Sequence, residues 1–234
     1  MKNKKKVILI SCICAVVVIA MAAGAVVLMN RSGKVADEQK APEATQAPVV
    51  TATPEPTKDP HEGMVRSNLT GEYITEKVAE KRPYAVIINN IEYANANQQG
   101  TSQIDVLYEA LAEGGITRML GVIQDVDKIK KLGSVRSARH YFVSFASEWD
   151  AIFCHFGQTK YAISKIEELG INNLSGLSAV GPVVYARDYS YKAPHNVFTT
   201  GKKMKKGAKK LGYRTKVKSD NVAEHFTFYE EDTD

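Results

Sequence analysis

The sequence predicts an α/β (α+β) fold, with a layered mixed β-sheet, a hairpin and covering helices. One N-terminal transmembrane helix and a disordered linker are predicted to precede this domain. Three observations lead to this prediction: an uncharged apolar run at the N-terminus, a proline-rich stretch after it, and alternating apolar and amphipathic segments from about residue 69. The 234-residue chain is 44% hydrophobic and 24% charged, which is typical of a globular protein and excludes a wholly disordered one.

Residues 1–30 are predicted to be a membrane anchor or signal segment. Val7 to Met29 forms a run of 23 residues without a charge. A helix of this length rises about 34 Å, which is enough to cross a hydrocarbon core of about 30 Å. The lysines Lys2, Lys4, Lys5 and Lys6 precede the run, whereas only Arg31 and Lys34 follow it closely. The positive-inside bias therefore predicts a single-pass protein of the cell membrane, with a cytoplasmic N-terminus and an extracytoplasmic domain.

Two other interpretations of the N-terminus stay open. Leu9-Ile10-Ser11-Cys12 looks like a lipobox, and cleavage before Cys12 would leave a lipid-anchored protein. Ala23-Gly24-Ala25 fits a signal-peptidase site, and cleavage there would secrete the chain. The unbroken length of the apolar run favours the uncleaved anchor.

The remaining chain divides by composition into three parts. Residues 31–68 are predicted to be a Pro/Thr/Ala-rich extracytoplasmic linker, because this stretch has almost no large apolar residue with which to build a core. Residues 69–218 are predicted to form the α/β domain, and residues 219–234 an acidic C-terminal segment. Most of the net charge of +5 comes from the four N-terminal lysines, since it falls to +1 without them.

The first elements predicted within the α/β domain, in chain order, are strands. Pro83 to Asn89 is apolar and β-branched and ends at two asparagines, which indicates a buried strand. Asp105 to Leu111 and Ile116 to Gln124 are predicted to pair as a hairpin. The turn falls at Glu113-Gly114-Gly115, where glycine allows the positive φ of a tight turn.

Helices and strands then alternate. Apolar residues at helical spacing predict a helix over 138–149 with Ser137 as its N-cap, followed by a strand over 151–156. A second amphipathic helix is predicted over 162–169, ending at Gly170, and a short strand over 183–186. This order favours a mixed sheet covered by helices.

Four sequence blocks carry a resemblance to a known family. They are Arg82–Asn90, Tyr108–Arg118, Ser134–Arg139 and Ala193–Asn196. In this order they resemble the YerB-like lipoproteins, the domain-of-unknown-function family 3048, in their N-terminal domain. The resemblance extends from about Arg82 to Tyr213 and implies a layered α/β domain outside a Gram-positive-type cell. It implies no reaction. Members tend to continue into a second domain, so residues 219–234 are interpreted as its truncated start, or else the domain works alone.

Arginines are the strongest candidates for a binding site. Arg136 and Arg139 flank the predicted helix start, where the helix dipole favours anions over cations. Guanidinium groups beside a helix N-terminus predict a phosphate or carboxylate site, which Arg118 and Arg187 could join. The structural alternative is that each arginine simply pairs with a carboxylate such as Glu109 or Glu113.

Histidines are weak candidates for catalysis. His155 is expected at the end of a strand and His195 in a loop, and either Asp188 or Glu109 could orient them as an acid and a base. The structural alternative for both is an ordinary hydrogen-bonded histidine, and Cys154 is expected to be inert core. No Gly-x-Ser-x-Gly, His-Glu-x-x-His or Cys-x-x-Cys motif occurs, so neither a metal nor a cofactor is expected.

A basic helix is predicted within Thr199 to Lys218, which holds nine basic residues and no acid. Met204, Ala208 and Leu211 give it a narrow apolar face, and it is expected to end near Gly212. Its predicted basic surface consists of Lys202, Lys203, Lys205, Lys206, Lys209 and Lys210. Outside the cell this surface could meet lipid headgroups or anionic wall polymers, and nucleic acid is not expected.

These patterns favour a membrane-tethered extracytoplasmic binding or scaffold module of the cell envelope, with an anionic ligand or a protein partner. The alternative is a wall-modifying hydrolase or transferase that uses His155 and His195 with a carboxylate. A regulatory subunit of a membrane complex is a third hypothesis. The first is preferred because the sequence contains no recognised catalytic motif.

Overall fold

The apolar strand predicted at 83–89 is the centre of the domain's main sheet. The computed structural model describes residues 60–218 and 225–229. Its strands in chain order are β1 (Met64–Arg66), β2 (Tyr73–Thr75), β3 (Tyr84–Asn90), β4 (Val106–Leu111), β5 (Thr117–Ile123), β6 (Leu132–Gly133), β7 (Ile152–His155), β8 (Asn173–Ser175), β9 (Ala186–Arg187) and β10 (Val197–Thr199). Its helices are α1 (Glu76–Ala79), α2 (Glu92–Asn95), α3 (His140–Glu148), α4 (Lys160–Leu169), α5 (Gly181–Val184) and α6 (Gly201–Lys210).

The main sheet has five strands in the order β4-β5-β3-β7-β8. β3 runs antiparallel to β5 and parallel to β7, so the sheet is mixed, as predicted. β4 and β5 form the predicted hairpin, and Gly114 and Gly115 have φ values of 66° and 75° at its turn. Two smaller sheets, β1-β2 and β6-β10-β9, are the other sheets among the described residues.

The core lies on both faces of the main sheet because successive β3 side chains point to opposite sides. Ala85 and Ile87 pack on the face covered by α3, together with Phe142 and Ala146. Tyr84, Val86 and Ile88 pack on the other face with residues of the small β6-β10-β9 sheet, α5 and α6, where Met204 is fully buried. These layers confirm the predicted mixed α/β architecture.

The start of α3 differs from the prediction. The helix begins at His140, and Arg139 rather than Ser137 is its N-cap residue. The backbone N–H of Ala138 donates to the Gly157 carbonyl, and the Ser137 hydroxyl donates to Phe156 O. Because these bonds hold residues 137–138 against the end of β7, the segment stays extended and the helix starts later.

Two further predictions need correction. Val183 to Ala186 is not a strand: Pro182 sits in the first turn of the short helix α5, and only Ala186–Arg187 pairs, as β9. Proline suits a first helical turn because it has no N–H to leave unpaired. In α6, Met204 and Ala208 are buried as predicted, whereas Leu211 is 42% exposed because the helix ends at Lys210.

The boundaries of the folded part also differ from the prediction. β1 lies within residues 31–68, the predicted linker, and pairs with β2, so ordered pairing begins before Leu69. Of the predicted C-terminal segment 219–234, the structure describes residues 225–229, in which the His225 ring lies 4.1 Å from that of Trp149. The predicted membrane helix lies outside the described residues. Within the part that the structure describes, no helix is long and apolar enough to cross a bilayer.

Candidate anion-binding site

The candidate site lies at the carboxyl edge of the parallel strands β3 and β7. The segment 134–139 runs along this edge and is fixed to both strands by its backbone. Arg136 N donates to Ile87 O at 3.1 Å, and Phe156 N donates to Arg136 O at 2.9 Å. The edge where parallel strands end is the usual ligand position in open α/β sheets. The RSAR sequence is therefore presented by a rigid support.

Arg118 approaches the same edge from β5, where it pairs with Asn89 of β3. Its side chain is only 3% exposed. One terminal nitrogen donates to the Ser137 carbonyl at 2.8 Å, while the buried Nε has no hydrogen-bond partner among the described residues. Buried polar groups nearly always have a partner, so this guanidinium retains an unused donor.

Arg136 is held in a similar way from the other side. Its Nη1 donates to the Pro194 carbonyl at 3.1 Å, and its buried Nε is also without a partner in the described chain. Neither Arg118 nor Arg136 forms an ion pair with a carboxylate within the described residues. The alternative in which each arginine is neutralised by its own carboxylate therefore fails for these two.

Arg139 does have such a partner. Its Nε and Nη2 donate to the two carboxylate oxygens of Glu113, at the tip of the β4-β5 hairpin. Its Nη1 donates to the carbonyls of Ser137 and Ala138 at 3.1 and 2.9 Å. This fork-to-fork pair is the arrangement that guanidinium groups favour with carboxylates. The structural alternative is correct for Arg139 with Glu113, but Glu109 takes no part in it.

The three guanidinium groups affect one another electrostatically. Burial, and then the charges of Arg139 and Arg136, lower the pKa of Arg118 to about 10. Burial followed by the Arg139 charge lowers the pKa of Arg136. The hydrogen bond from Arg139 lowers the pKa of Glu113, which stays ionised at neutral pH. The cluster thus has three positive charges and one negative charge, that of Glu113. The excess positive charge favours binding of an anion.

His195 stands beside this arginine cluster (Arg118, Arg136 and Arg139). Its Nδ1 lies 2.7 Å from Asn89 Nδ2, and its ring centroid is 5.2 Å from that of Tyr93. The Asn89 amide donates, so the ring accepts at Nδ1 and carries its proton at Nε2. Burial and the charges of Arg136 and Lys192 lower the pKa of His195, so the ring is neutral at pH 7.

The other candidate residues have separate partners. Arg187 donates to Asn196 Oδ1 at 2.7 Å and lies over the Phe156 ring, outside the cluster. Glu109 accepts from Asn90 and Thr117. These contacts leave no carboxylate partner for His195 among the proposed catalytic residues.

His155 and Asp188 are equally removed from a catalytic arrangement. The His155 ring is fully buried, with Nδ1 2.9 Å from the Gly157 carbonyl and Nε2 3.3 Å from the Asn173 side chain. Asp188 pairs with Lys131 at 2.7 Å, and hydrogen bonds from Lys131 and Ser190 lower its pKa to about 2. Within the described part of the chain, His155 and His195 share no hydrogen-bond partner, so the predicted acid–base set is not assembled there.

The remaining predictions concern Cys154, the basic helix and metals. Cys154 is fully buried on the face opposite His155, and burial raises its thiol pKa. On α6, Lys205 pairs with Asp127, and most of the other lysines are exposed. The described residues contain no group of three or more His, Cys, Asp and Glu side chains placed to hold a metal ion.

Sequence reasoning did not identify Asn89, Ser137 and Pro194 as contributors to the site. Asn89 orients His195, and the carbonyls of the other two residues hold Arg118 and Arg136. A polar residue at the carboxyl end of a buried strand was the available signal for Asn89. The carbonyl contacts leave no trace in side-chain chemistry, so no sequence signal could have found them.

The fold and the site define a layered α/β domain with an arginine cluster at the carboxyl edge of its sheet. This chain belongs to the family described as "Protein of unknown function (DUF3048) N-terminal domain", which matches residues 69–214. The resemblance inferred from the four sequence blocks is thereby confirmed.

One relative, YerB of Bacillus subtilis, illustrates the match in both sequence and structure. "Putative lipoprotein YerB" of Bacillus subtilis (strain 168) is 40% identical over 152 residues, which cover 65% of this chain and 45% of that protein. The crystal structure of YerB from Bacillus subtilis superposes with a TM-score of 0.60 at 38% identity, covering 65% of this chain and 51% of that one. This chain therefore spans about half the length of this relative.

Proposed function

We propose that this protein is an extracytoplasmic, envelope-associated binding module whose arginine cluster binds phosphate groups of an anionic envelope polymer. The observation that carries the proposal is the pair of buried Nε–H groups on Arg118 and Arg136 that lack a partner within the described chain. A tetrahedral oxyanion offers several acceptors at once, which suits guanidinium groups converging from different elements.

The location rests on two observations of different kinds. The N-terminal 30 residues contain four lysines before a 23-residue uncharged run, which favours an anchored chain with its domain outside the cytoplasm. The similar Bacillus subtilis protein carries a lipoprotein name, which supports membrane attachment by a lipid as the alternative to a spanning helix. Either form of attachment holds the domain at the membrane surface.

The binding part is tested with the full chain in detergent micelles and poly(glycerol phosphate) as the probe. Arg136→Gln removes one cluster charge, and we expect its affinity to fall at least tenfold, since hydrogen bonds to charged groups contribute about 1.5–3 kcal/mol. Lys165→Gln removes one charge from α4, where Lys165 pairs with Glu168 and not with the arginine cluster, and should bind as the wild type does. Equal affinity for wild type and Arg136→Gln would refute the proposal.

The location is tested separately. A tag fused after Asp234 should be cleaved by protease added to whole protoplasts, because the domain is proposed to face outward. A cytoplasmic protein expressed in the same cells serves as the control for intact membranes. If the tag is not cleaved while the cells remain intact, the proposed extracytoplasmic location is wrong. This result would not bear on the proposed anion-binding site.

A further inference from the structure

A second candidate site lies at the opposite end of β3. Tyr84 begins this strand, whereas Asn89 lies near its other end, beside the arginine cluster. Five residues of extended strand separate the two positions by about 17 Å. At the Tyr84 end, residues from α1, β3, α6 and the segment 212–216 enclose a groove of ≈ 700 Å³. Pockets of about 300–1,000 Å³ hold small organic ligands.

Two buried polar atoms of the groove have no partner. The Tyr84 hydroxyl and Gln124 Oε1 make no hydrogen bond to any described residue, although the two residues are only 3% and 8% exposed. Both residues line the groove. Since nearly all buried polar groups are hydrogen-bonded, both atoms need a partner that the described residues do not supply.

The chemistry of these two atoms is complementary. Gln124 Nε2 donates to the carbonyls of Ala79 and Lys81 at 2.9 and 3.3 Å, which fixes the orientation of the amide and leaves Oε1 as an acceptor. Burial raises the pKa of Tyr84 far above its usual value of 10, so the hydroxyl remains protonated and can donate. A ligand must therefore offer both a donor and an acceptor, as a sugar hydroxyl does.

The rim of the groove is basic. Five lysines and two carboxylates line it: Lys77, Lys81, Lys205, Lys209, Lys216, Glu80 and Asp127. Asp127 is shared by Lys81 and Lys205, and Glu80 pairs with Lys216. Lys77 and Lys209 form no ion pair with a described residue. The unpaired ammonium groups leave the rim with excess positive charge, which favours an anionic ligand.

We infer that this groove is a second binding site, which takes a small hydroxylated phosphate ester of the sugar phosphate class. The phosphate is placed at Lys77 and Lys209, and a hydroxyl group of the ligand bridges Tyr84 and Gln124. The inference goes beyond the proposed polymer binding, because it concerns a different end of the sheet and different residues. It also predicts different roles for the lysines of α6: Lys205 and Lys209 line the groove, whereas Lys206 does not.

The test is calorimetric titration of the full chain in detergent with glucose 1-phosphate. Tyr84→Phe removes only the unpartnered hydroxyl, so we expect unchanged or higher thermal stability and about fivefold weaker binding. Lys209→Gln removes an exposed rim charge and should weaken binding at least threefold, whereas Lys206→Gln makes the same change on the same helix and should bind normally. Arg136→Gln should lose only phosphate binding at the arginine cluster and keep the binding event that Tyr84→Phe weakens, which separates the two sites.

Further ligands identify what the groove recognises. Glucose and inorganic phosphate each supply half of the proposed contacts and should bind at least tenfold more weakly than glucose 1-phosphate. Poly(glycerol phosphate) is the third ligand. If it binds more tightly than glucose 1-phosphate and Tyr84→Phe weakens its binding, the groove recognises the ester as part of a polymer, and the inference of a small ligand is wrong. No saturable binding, an unchanged affinity of Tyr84→Phe, or equal losses in Lys206→Gln and Lys209→Gln would each overturn the inference.

Discussion

The two ends of β3 carry positive charge in different ways. At the carboxyl end, Arg118 and Arg136 are held by the carbonyls of Ser137 and Pro194. At the amino end, lysines stand on the rim of a groove and several of them pair with carboxylates. A planar guanidinium fixed by backbone has a set direction, whereas an ammonium on a flexible chain is a point charge. The cluster is therefore suited to orient an oxyanion, and the groove depends on Tyr84 and Gln124 for direction.

The largest expected effect is a loss of stability on substitution of Arg82, a structural arginine outside the arginine cluster. Arg82 is 5% exposed and fully paired: its Nε donates to the Asp150 carbonyl at 2.6 Å, and its Nη2 lies 3.1 Å from Asp150 Oδ1. Arg82→Met leaves that carboxylate with one partner fewer and should reduce the free energy of unfolding in urea by about 3–5 kcal/mol. A loss below about 1 kcal/mol would show that burial and pairing do not distinguish Arg82 from Arg118.

Arg118→Met is the matched variant, because Arg118 is equally buried but has no ion pair with a described carboxylate. Its removal also relieves repulsion from Arg139 and Arg136. We expect the free energy of unfolding to change by less than about 1 kcal/mol, while affinity for poly(glycerol phosphate) falls about thirtyfold. Loss of stability comparable to that of Arg82→Met, with binding retained by the folded fraction, would make Arg118 a structural residue.

The two histidines at the carboxyl edge differ in the same manner, since His155 is fully buried and His195 is not. Burial lowers the pKa of His155 below its usual 6.5, so the unfolded chain binds a proton more readily than the folded one. The stability that His155 contributes is therefore complete above pH 6.5 and is lost as the pH falls below it. Between about pH 7.5 and about pH 5.5 we expect a loss of about 1 kcal/mol.

Urea unfolding at these pH values measures the loss, and His155→Gln is the control because its side chain is polar but does not titrate. The variant should show a flatter pH dependence than the wild type. Equal slopes for both proteins would mean that His155 is not the group responsible.

The smallest expected effect is an increase in affinity, caused by a substitution of Glu113. Glu113 sits on the exposed hairpin tip and occupies Arg139 with both carboxylate oxygens. Glu113→Gln removes the competing negative charge and frees this guanidinium for the ligand, so affinity for poly(glycerol phosphate) should rise about threefold at low salt. The gain should shrink as salt is added. Weaker binding by this variant would indicate that Glu113 supports the site rather than competes for it.

The sequence was sufficient to predict the parts of the fold that depend on periodicity. The apolar run at 83–89, the Gly114-Gly115 turn and the helix ending at Gly170 all form as expected. The late start of α3 could not be predicted from local pattern, since backbone bonds to the end of β7 keep residues 137–138 extended. The short helix α5 did have a local signal, because Pro182 lies in its first turn, but this signal was interpreted as the start of a strand.

The site shows the same division. Arg136 and Arg139 were predicted because they flank a helix start, and Arg118 was named as a residue that could join them; the structure brings all three together. Arg187 was named with Arg118 but donates to Asn196 elsewhere. The unpartnered atoms of Tyr84 and Gln124 could not be predicted, because whether a buried atom has a partner is decided by packing.

The most direct test of the central claim follows the arginine Nε–H resonances of the full, isotope-labelled chain during titration with inorganic phosphate. The Nε–H signals of Arg118 and Arg136 should shift together and saturate, because these are the groups without a partner in the described chain. The Arg82 signal should stay in place, since its Nε already donates to Asp150. Unmoved Arg118 and Arg136 signals at saturating phosphate would contradict the account.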